Sequence, residues 1–222
     1  IGFPIEFSCA DFENLLNFGK LSYPQVMCYD SDGIVSPLAY TGCGVQGLTA
    51  IVDLESIATA LYDRKTVRIA DLPTVHPGIR ELAQALSRLF GCHVNVNAYF
   101  SRGPCKGLRG HYDPHHVFAL QLHGEKLWSL GDIVVDTPSK AYSPRTLVPP
   151  VITSEIATSR GQMLYIPPGM WHATATRDTS LHVTIGIHPP KWNSALGALL
   201  EHSVRQHPII RASLPMALAS GR

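Results

Sequence analysis

The chain has 222 residues, 45% hydrophobic and 16% charged, and its 18 basic and 17 acidic residues leave a formal charge of +1. This supports one sizeable core with at most a small helical appendage, and it leaves no strong field to draw in nucleic acid or an anionic membrane. No apolar run approaches the roughly 20 residues of a membrane-spanning helix, and the start Ile1-Gly2-Phe3-Pro4 lacks the basic and apolar regions of a signal peptide.

The cysteines, at 9, 28, 43, 92 and 105, are odd in number and form no Cys-x-x-Cys pair. That argues against a disulfide framework and a thiolate zinc site, and the expectation is a cytoplasmic protein.

Up to about residue 91 the pattern reads as mostly helical with loops. Asp11-Phe12-Glu13-Asn14-Leu15-Leu16 begins one helix, and Asp53 to Arg64, apolar at 54, 57, 58 and 61, forms a second. The third is the clearest: Pro77 near its start, a stripe of Ile79, Leu82, Leu86, Leu89 and Phe90, then Gly91 as a stop.

After Gly91 the period changes to two. Val94, Val96, Ala98 and Phe100 point one way, and Asn95, Asn97 and Tyr99 point the other. Further strands are expected at Gly110–Asp113, Val117–Leu122, Lys126–Leu130, Ile133–Val135, Met163–Ile166, His172–Thr176 and Ser180–Ile187. Many short strands between turn signals mean a sandwich or barrel. A loop from about 136 to 154, with prolines at 138, 144, 149 and 150, is expected to border a site mouth. The end returns to helix, with Asn193 or Ser194 as cap and Trp192, Leu196, Leu199, Leu200 and Val204 as apolar positions.

The stretch His111-Tyr112-Asp113-Pro114-His115-His116 carries the densest chemistry. Pro114 forbids a helix through it, so His111 and His115 are not stacked one turn apart as in a helical zinc motif. An extended chain instead places His111 and Asp113 on one face, their Cα atoms roughly 6.5–7 Å apart. Further on, Leu164-Tyr165-Ile166-Pro167-Pro168-Gly169-Met170-Trp171-His172 ends a strand in a rigid turn and re-enters extended structure at a third candidate ligand. Two imidazoles and a carboxylate leave three adjacent positions open on an octahedral ion, the arrangement of non-haem Fe(II) oxygenases. Zinc, which favours a closed tetrahedral shell or a single open position, fits less well.

His115, His116, His123 and His188 read as solvent-facing or supporting groups, Trp128 and Trp171 as packing. Cys105 lacks an oriented acid–base partner. Lys126, in Gly124-Glu125-Lys126-Leu127-Trp128, sits among apolar residues on a strand, where an ammonium requires an anion. A bound dicarboxylate would supply one. Asn97 and Tyr99 share a strand face, as do His182 and Thr184, and all can donate hydrogen bonds to such a ligand.

Together these residues resemble the JmjC-type cupin oxygenases that use Fe(II) and 2-oxoglutarate, and within them the ribosomal-oxygenase branch of protein histidine and arginine hydroxylases. The resemblance runs through Asn97-Ala98-Tyr99, His111-Tyr112-Asp113, Val117-Phe118-Ala119-Leu120-Gln121-Leu122, Gly124-Glu125-Lys126-Leu127-Trp128, Leu164-Tyr165-Ile166-Pro167-Pro168-Gly169 with His172, and Ser180-Leu181-His182-Val183-Thr184. It implies a mainly β double-stranded β-helix with N-terminal helices and a short C-terminal helical segment. It also implies iron held by His111, Asp113 and His172, the distal carboxylate of 2-oxoglutarate on Lys126, and Asn97, Tyr99 and Thr184 around that co-substrate.

The implied activity consumes O2, converts 2-oxoglutarate to succinate and hydroxylates an amino-acid side chain of a protein or peptide. The expected organisation is an oxygenase domain over 1–190 and a helical segment over 191–222 serving homodimerisation, with no direct nucleic-acid or membrane partner. Two departures stand out. His116 occupies a position near the site mouth where relatives often carry Asp, and the chain stops soon after the barrel, where ribosomal oxygenases continue into a helical dimerisation segment and a winged-helix domain. The competing readings are a redox-inactive metal cupin acting as isomerase or hydrolase, and a cupin that only binds its ligand.

Overall fold

Alternating apolar and polar side chains give each strand in the middle of this chain two different faces, and the fold uses both. The computed structural model describes residues 5–43, 50–139 and 150–213. Helix α1 (Cys9–Phe18) starts at a capping box in which Ser8 and Asp11 satisfy each other's free backbone N–H groups. Strands β1 (Val26–Asp30), β2 (Gly33–Ile34), β3 (Thr41–Cys43) and β4 (Ala50–Val52) follow, then α2 (Leu54–Tyr62) with Asp53 as its cap. Strand β5 (Thr66–Ile69) leads to α3 (Pro77–Phe90), which begins at Pro77 and ends on Gly91 in the left-handed region.

The strands of the second half are β6 (His93–Ser101), β7 (Cys105–Lys106), β8 (His116–His123), β9 (Glu125–Ile133), β10 (Ser154–Ser159), β11 (Met163–Ile166), β12 (Met170–Thr176) and β13 (Ser180–His188), followed by α4 (Trp192–Gln206). They form a seven-stranded sheet, β11-β8-β13-β6-β5-β1-β2, and a four-stranded sheet, β10-β9-β12-β7, with β3 and β4 paired separately. All of the pairings are antiparallel.

The larger hydrophobic core packs the even-numbered face of β6 (Val94, Val96, Ala98, Phe100) with Leu181, Val183 and Ile185 of β13 against Phe12, Ile57 and Ile79 of the three helices. The opposite face of the large sheet turns toward the small sheet, where a smaller cluster joins Val117, Ala119 and Ile166 to Trp128 and Leu130. Most apolar burial therefore lies outside the barrel, which leaves its interior free for polar side chains.

Several elements differ from the reading of the sequence. The N-terminal third is not mostly helical: it contributes β1, β2 and β5 to the large sheet. Gly110–Asp113 is not a strand but an extended loop with one isolated bridge, His111 to His172. Ile133 closes β9, and Val135 lies in a bend beyond it. The long loop ends at Ser154, close to its expected end, but there it enters β10, a strand not read from the sequence; residues 140–149 lie outside the described residues. Helix α4 begins at Trp192 after Lys191.

The chain divides into two compact units, Ile1–His188 and Pro189–Arg222. In the second unit α4 buries no side chain, and the Arg211 guanidinium donates to the Val204 carbonyl at 2.6 Å. No helix among the described residues is long and apolar enough to cross a membrane.

Candidate metal centre

Two segments far apart in sequence are stitched together at their backbones. The His111 N–H donates to the His172 carbonyl at 3.0 Å and the His172 N–H to the His111 carbonyl at 2.8 Å. The Gly169 N–H donates to the Asp113 carbonyl at 2.9 Å, so the Pro167-Pro168-Gly169 turn grips the same loop. Pairing between β12 and β9 is irregular between Met170 and His172. Such a bulge re-aims a side chain.

Asp113 Oδ2 lies 3.9 Å from His111 Nε2 and 3.7 Å from His172 Nε2, and one ligand atom from each of the three residues falls within 4.8 Å of the others. The Nδ1 of His111 meets the Arg109 carbonyl at 2.8 Å and that of His172 the Met170 carbonyl at 3.1 Å. A carbonyl accepts only, so Nδ1 carries the proton in each ring and the Nε2 lone pair faces Asp113. Burial, with the neighbouring His111 adding to it, lowers the His172 pKa to about 4, which keeps that ring in the neutral, ligating form. The two Nε2–Oδ2 separations are within the roughly 4.2 Å that two metal–ligand bonds of about 2.1 Å can span. The donor set fits a divalent cation.

These three residues line a cavity of about 180 Å³. Asn97, Tyr99 and Thr184 line it as well, since Asn97 pairs with Thr184 and Tyr99 with His182 across β6 and β13. Burial pushes the Tyr99 hydroxyl up, while the Arg68 charge beside it acts the other way. A hollow of about 380 Å³ at the start of α3, beside Glu6, His76 and Glu81, shares none of these residues.

Lys126 is not among the cavity's lining residues. It is 1% exposed, and its Nζ donates to Ser101 Oγ at 3.0 Å. Ser101 is the next residue beyond Tyr99 on the same face of β6, so the ammonium belongs to the floor beneath the cavity. Burial lowers its pKa to about 8, with Cys105 acting weakly in the opposite direction. Among the described residues no carboxylate pairs with it.

Arg68 was not singled out from the sequence. It lines the cavity from β5, opposite Tyr99 and Met27, with Nη2 3.0 Å from Met27 Sδ and its charge 5.7 Å from the centre of the Tyr29 ring. Its Nε is buried with no hydrogen-bond partner among the described residues. The available signal was the alternation Thr66-Val67-Arg68-Ile69, hidden by the helical reading of that region. Asn95 and His115 also line the cavity, and His115 stacks on His188 at 4.0 Å. His116, expected near the mouth, is not among the lining residues and bonds the Tyr165 hydroxyl at 2.8 Å. Trp171 packs across Gly110, where a Cβ would collide with the indole. Trp128 both packs and lines the cavity, its indole N–H donating to Thr158 Oγ1 at 3.0 Å.

Residues 74–195, more than half of the chain, match the JmjC domain. The chain belongs to the JmjC domain family. Among curated proteins this JmjC chain is similar to the bifunctional lysine-specific demethylase and histidyl-hydroxylase NO66 of Drosophila mojavensis, 28% identical over 167 residues that cover 69% of this chain and 19% of that protein. NO66 of Dictyostelium discoideum is 28% identical over 148 residues, 63% of this chain and 28% of that protein. Among solved structures, the ribosomal oxygenase YcfD of Escherichia coli superposes with a TM-score of 0.60 at 16% identity, over 93% of this chain and 49% of YcfD. A further YcfD structure, in complex with cobalt and 2-oxoglutarate, gives 0.60 at 15% identity, over 93% of this chain and 50% of YcfD. The JmjC chain thus spans less than a third of these curated relatives and about half of YcfD. Its fold is the mainly β JmjC cupin, with antiparallel sheets and four α-helices among the described residues.

Proposed function

We propose that this JmjC chain is an Fe(II)- and 2-oxoglutarate-dependent dioxygenase that hydroxylates an amino-acid side chain of a protein or peptide. The observation that carries the reading is the convergence of His111, Asp113 and His172 on one cavity wall, above a buried ammonium that no carboxylate of the described chain neutralises. When bound, Fe(II) supplies O2 reduction: 2-oxoglutarate loses CO2 to become succinate, which takes one oxygen atom, and the other enters a substrate C–H bond as hydroxyl.

The chain's own residues have separable roles. His111, Asp113 and His172 hold the metal on one side. Lys126 neutralises the distal carboxylate of 2-oxoglutarate, and Asn97, Tyr99 and Thr184 donate hydrogen bonds to the co-substrate. The names of the relatives, a histidyl-hydroxylase and a ribosomal oxygenase, favour a protein substrate over a free small molecule. The unpaired thiols of Cys9, Cys28, Cys92 and Cys105 suit a reducing cytoplasm. The apolar stripe of α4 suits self-association through the C-terminal segment.

The test loads the protein anaerobically with Fe(II) and 2-oxoglutarate, then admits O2 with cell-extract peptides. O2-dependent succinate and peptides heavier by one oxygen atom are expected. His111→Ala abolishes both and the retention of iron. Turnover without O2 would replace the reading with a redox-inactive metal cupin, and ligand binding without succinate release would leave a binding protein.

A further inference from the structure

A lysine on the wall of a barrel is a poor anchor unless something holds its end, because four rotatable bonds let the ammonium wander over several ångströms. Here the end is held. Lys126 Nζ donates to Ser101 Oγ at 3.0 Å, and Ser101 Oγ lies 2.9 Å from Thr66 Oγ1, with both hydroxyl residues fully buried. An ammonium only donates, so Ser101 accepts from it; Thr66, directly opposite on β5, shares a hydrogen bond with the same Ser101 hydroxyl, in which either oxygen can be the donor. Only one of the three ammonium protons is taken up within the described chain. Two remain for an anion above.

We infer that Ser101, backed by Thr66, is the residue that positions the Lys126 ammonium for the distal carboxylate of the co-substrate. This rests on the co-substrate reading given above. Like Lys126 itself, neither hydroxyl is among the lining residues; Ser101 meets the ammonium directly and Thr66 meets Ser101, so both act through Lys126. The other titratable groups near the ammonium are Cys105 on β7 and His182 on β13, and His182 is held neutral by burial and by Lys126 itself. An imidazole carries no negative charge, so His182 does not neutralise the ammonium.

The experiment is calorimetric titration of 2-oxoglutarate into anaerobic Fe(II)-loaded protein between pH 6 and pH 9. For the native chain, affinity is expected to fall as pH rises through about 8, where the free ammonium loses its proton. Ser101→Ala is expected to weaken 2-oxoglutarate roughly tenfold at pH 7, the usual cost of a lost hydrogen bond to a charged group. It also moves the fall in affinity to lower pH, because the ammonium has lost its acceptor; iron binding is unchanged. Ser101→Thr restores both. Thr66→Val shows the same two effects at smaller amplitude and serves if Ser101→Ala does not fold. Native-like affinity and pH profile in the alanine or valine variant would overturn the positioning role alone. Failure of the native Fe(II) protein to bind 2-oxoglutarate would overturn the co-substrate reading together with it.

Discussion

Lys126 shows how a single buried charge can oppose stability. Its pKa of about 8 against an ordinary 10.5 means that burial penalises the charged form in the folded state. The sign follows directly. Below about pH 8 the ammonium must be kept charged inside the barrel and the penalty is fully present; between pH 8 and 10.5 the folded protein releases the proton first and the penalty shrinks; above 10.5 it is gone. Lys126→Met, which keeps the stem and removes the charge, is therefore expected to stabilise the protein without dicarboxylate by up to about 3 kcal/mol at pH 7, and by progressively less toward pH 10. Urea unfolding at the two pH values measures this. The same variant should lose 2-oxoglutarate binding while retaining iron. The charge and burial of Lys126 are legible in its sequence setting, but the two hydroxyls that hold it are not: Ser101 and Thr66 become partners only through the β5–β6 register.

Elements set how precisely the candidate metal ligands meet. Gly169 has φ +80, in the left-handed region, and a Cβ there would collide with the Val135 carbonyl. Its N–H also holds the Asp113 carbonyl, so the turn positions two ligands at once: Asp113 through this bond and His172 through the strand that follows. Gly169→Ala is expected to lower stability by about 2 kcal/mol or more and to weaken metal binding, read by thermal unfolding and by metal titration. Legibility varies among elements for a physical reason. Helix α3 carries a proline start, a full apolar stripe and a glycine stop, so each turn repeats the signal. Strand β5 has four residues, too few for a period to stand out, and β10 has a single buried residue, so its alternation is weak. Gly110–Asp113 is extended, as Pro114 requires, yet it is paired only at His111 because its remaining backbone serves the ligand loop.

At the scale of the molecule, the barrel is stabilised from outside. The three N-terminal helices cover the apolar face of the large sheet, and that division of labour lets Lys126, Ser101, Thr66, Arg68 and His172 occupy the interior. In the second unit, α4 carries Trp192, Leu196, Leu199 and Leu200 at 83%, 59%, 63% and 61% exposure, an apolar stripe at helical spacing. If a second copy covers it, Leu196→Glu with Leu200→Glu shifts the sedimentation coefficient from dimer to monomer without loss of 2-oxoglutarate binding; a native chain that sediments as a monomer at all concentrations refutes self-association.

By itself the sequence determined the local features: the helix boundaries around Pro77 and Gly91, the two-faced strand from Val94 to Phe100, and the extended settings of the three candidate ligands His111, Asp113 and His172. Each of these is governed by neighbours a few residues away. Tertiary structure alone decided that Arg68 shares the cavity with the candidate metal ligands, that His116 turns to Tyr165 instead, and that Lys126 rests on Ser101, backed by Thr66. Which side chains meet inside a closed barrel depends on strand register and sheet order, and neither is encoded in the periodicity of any one segment.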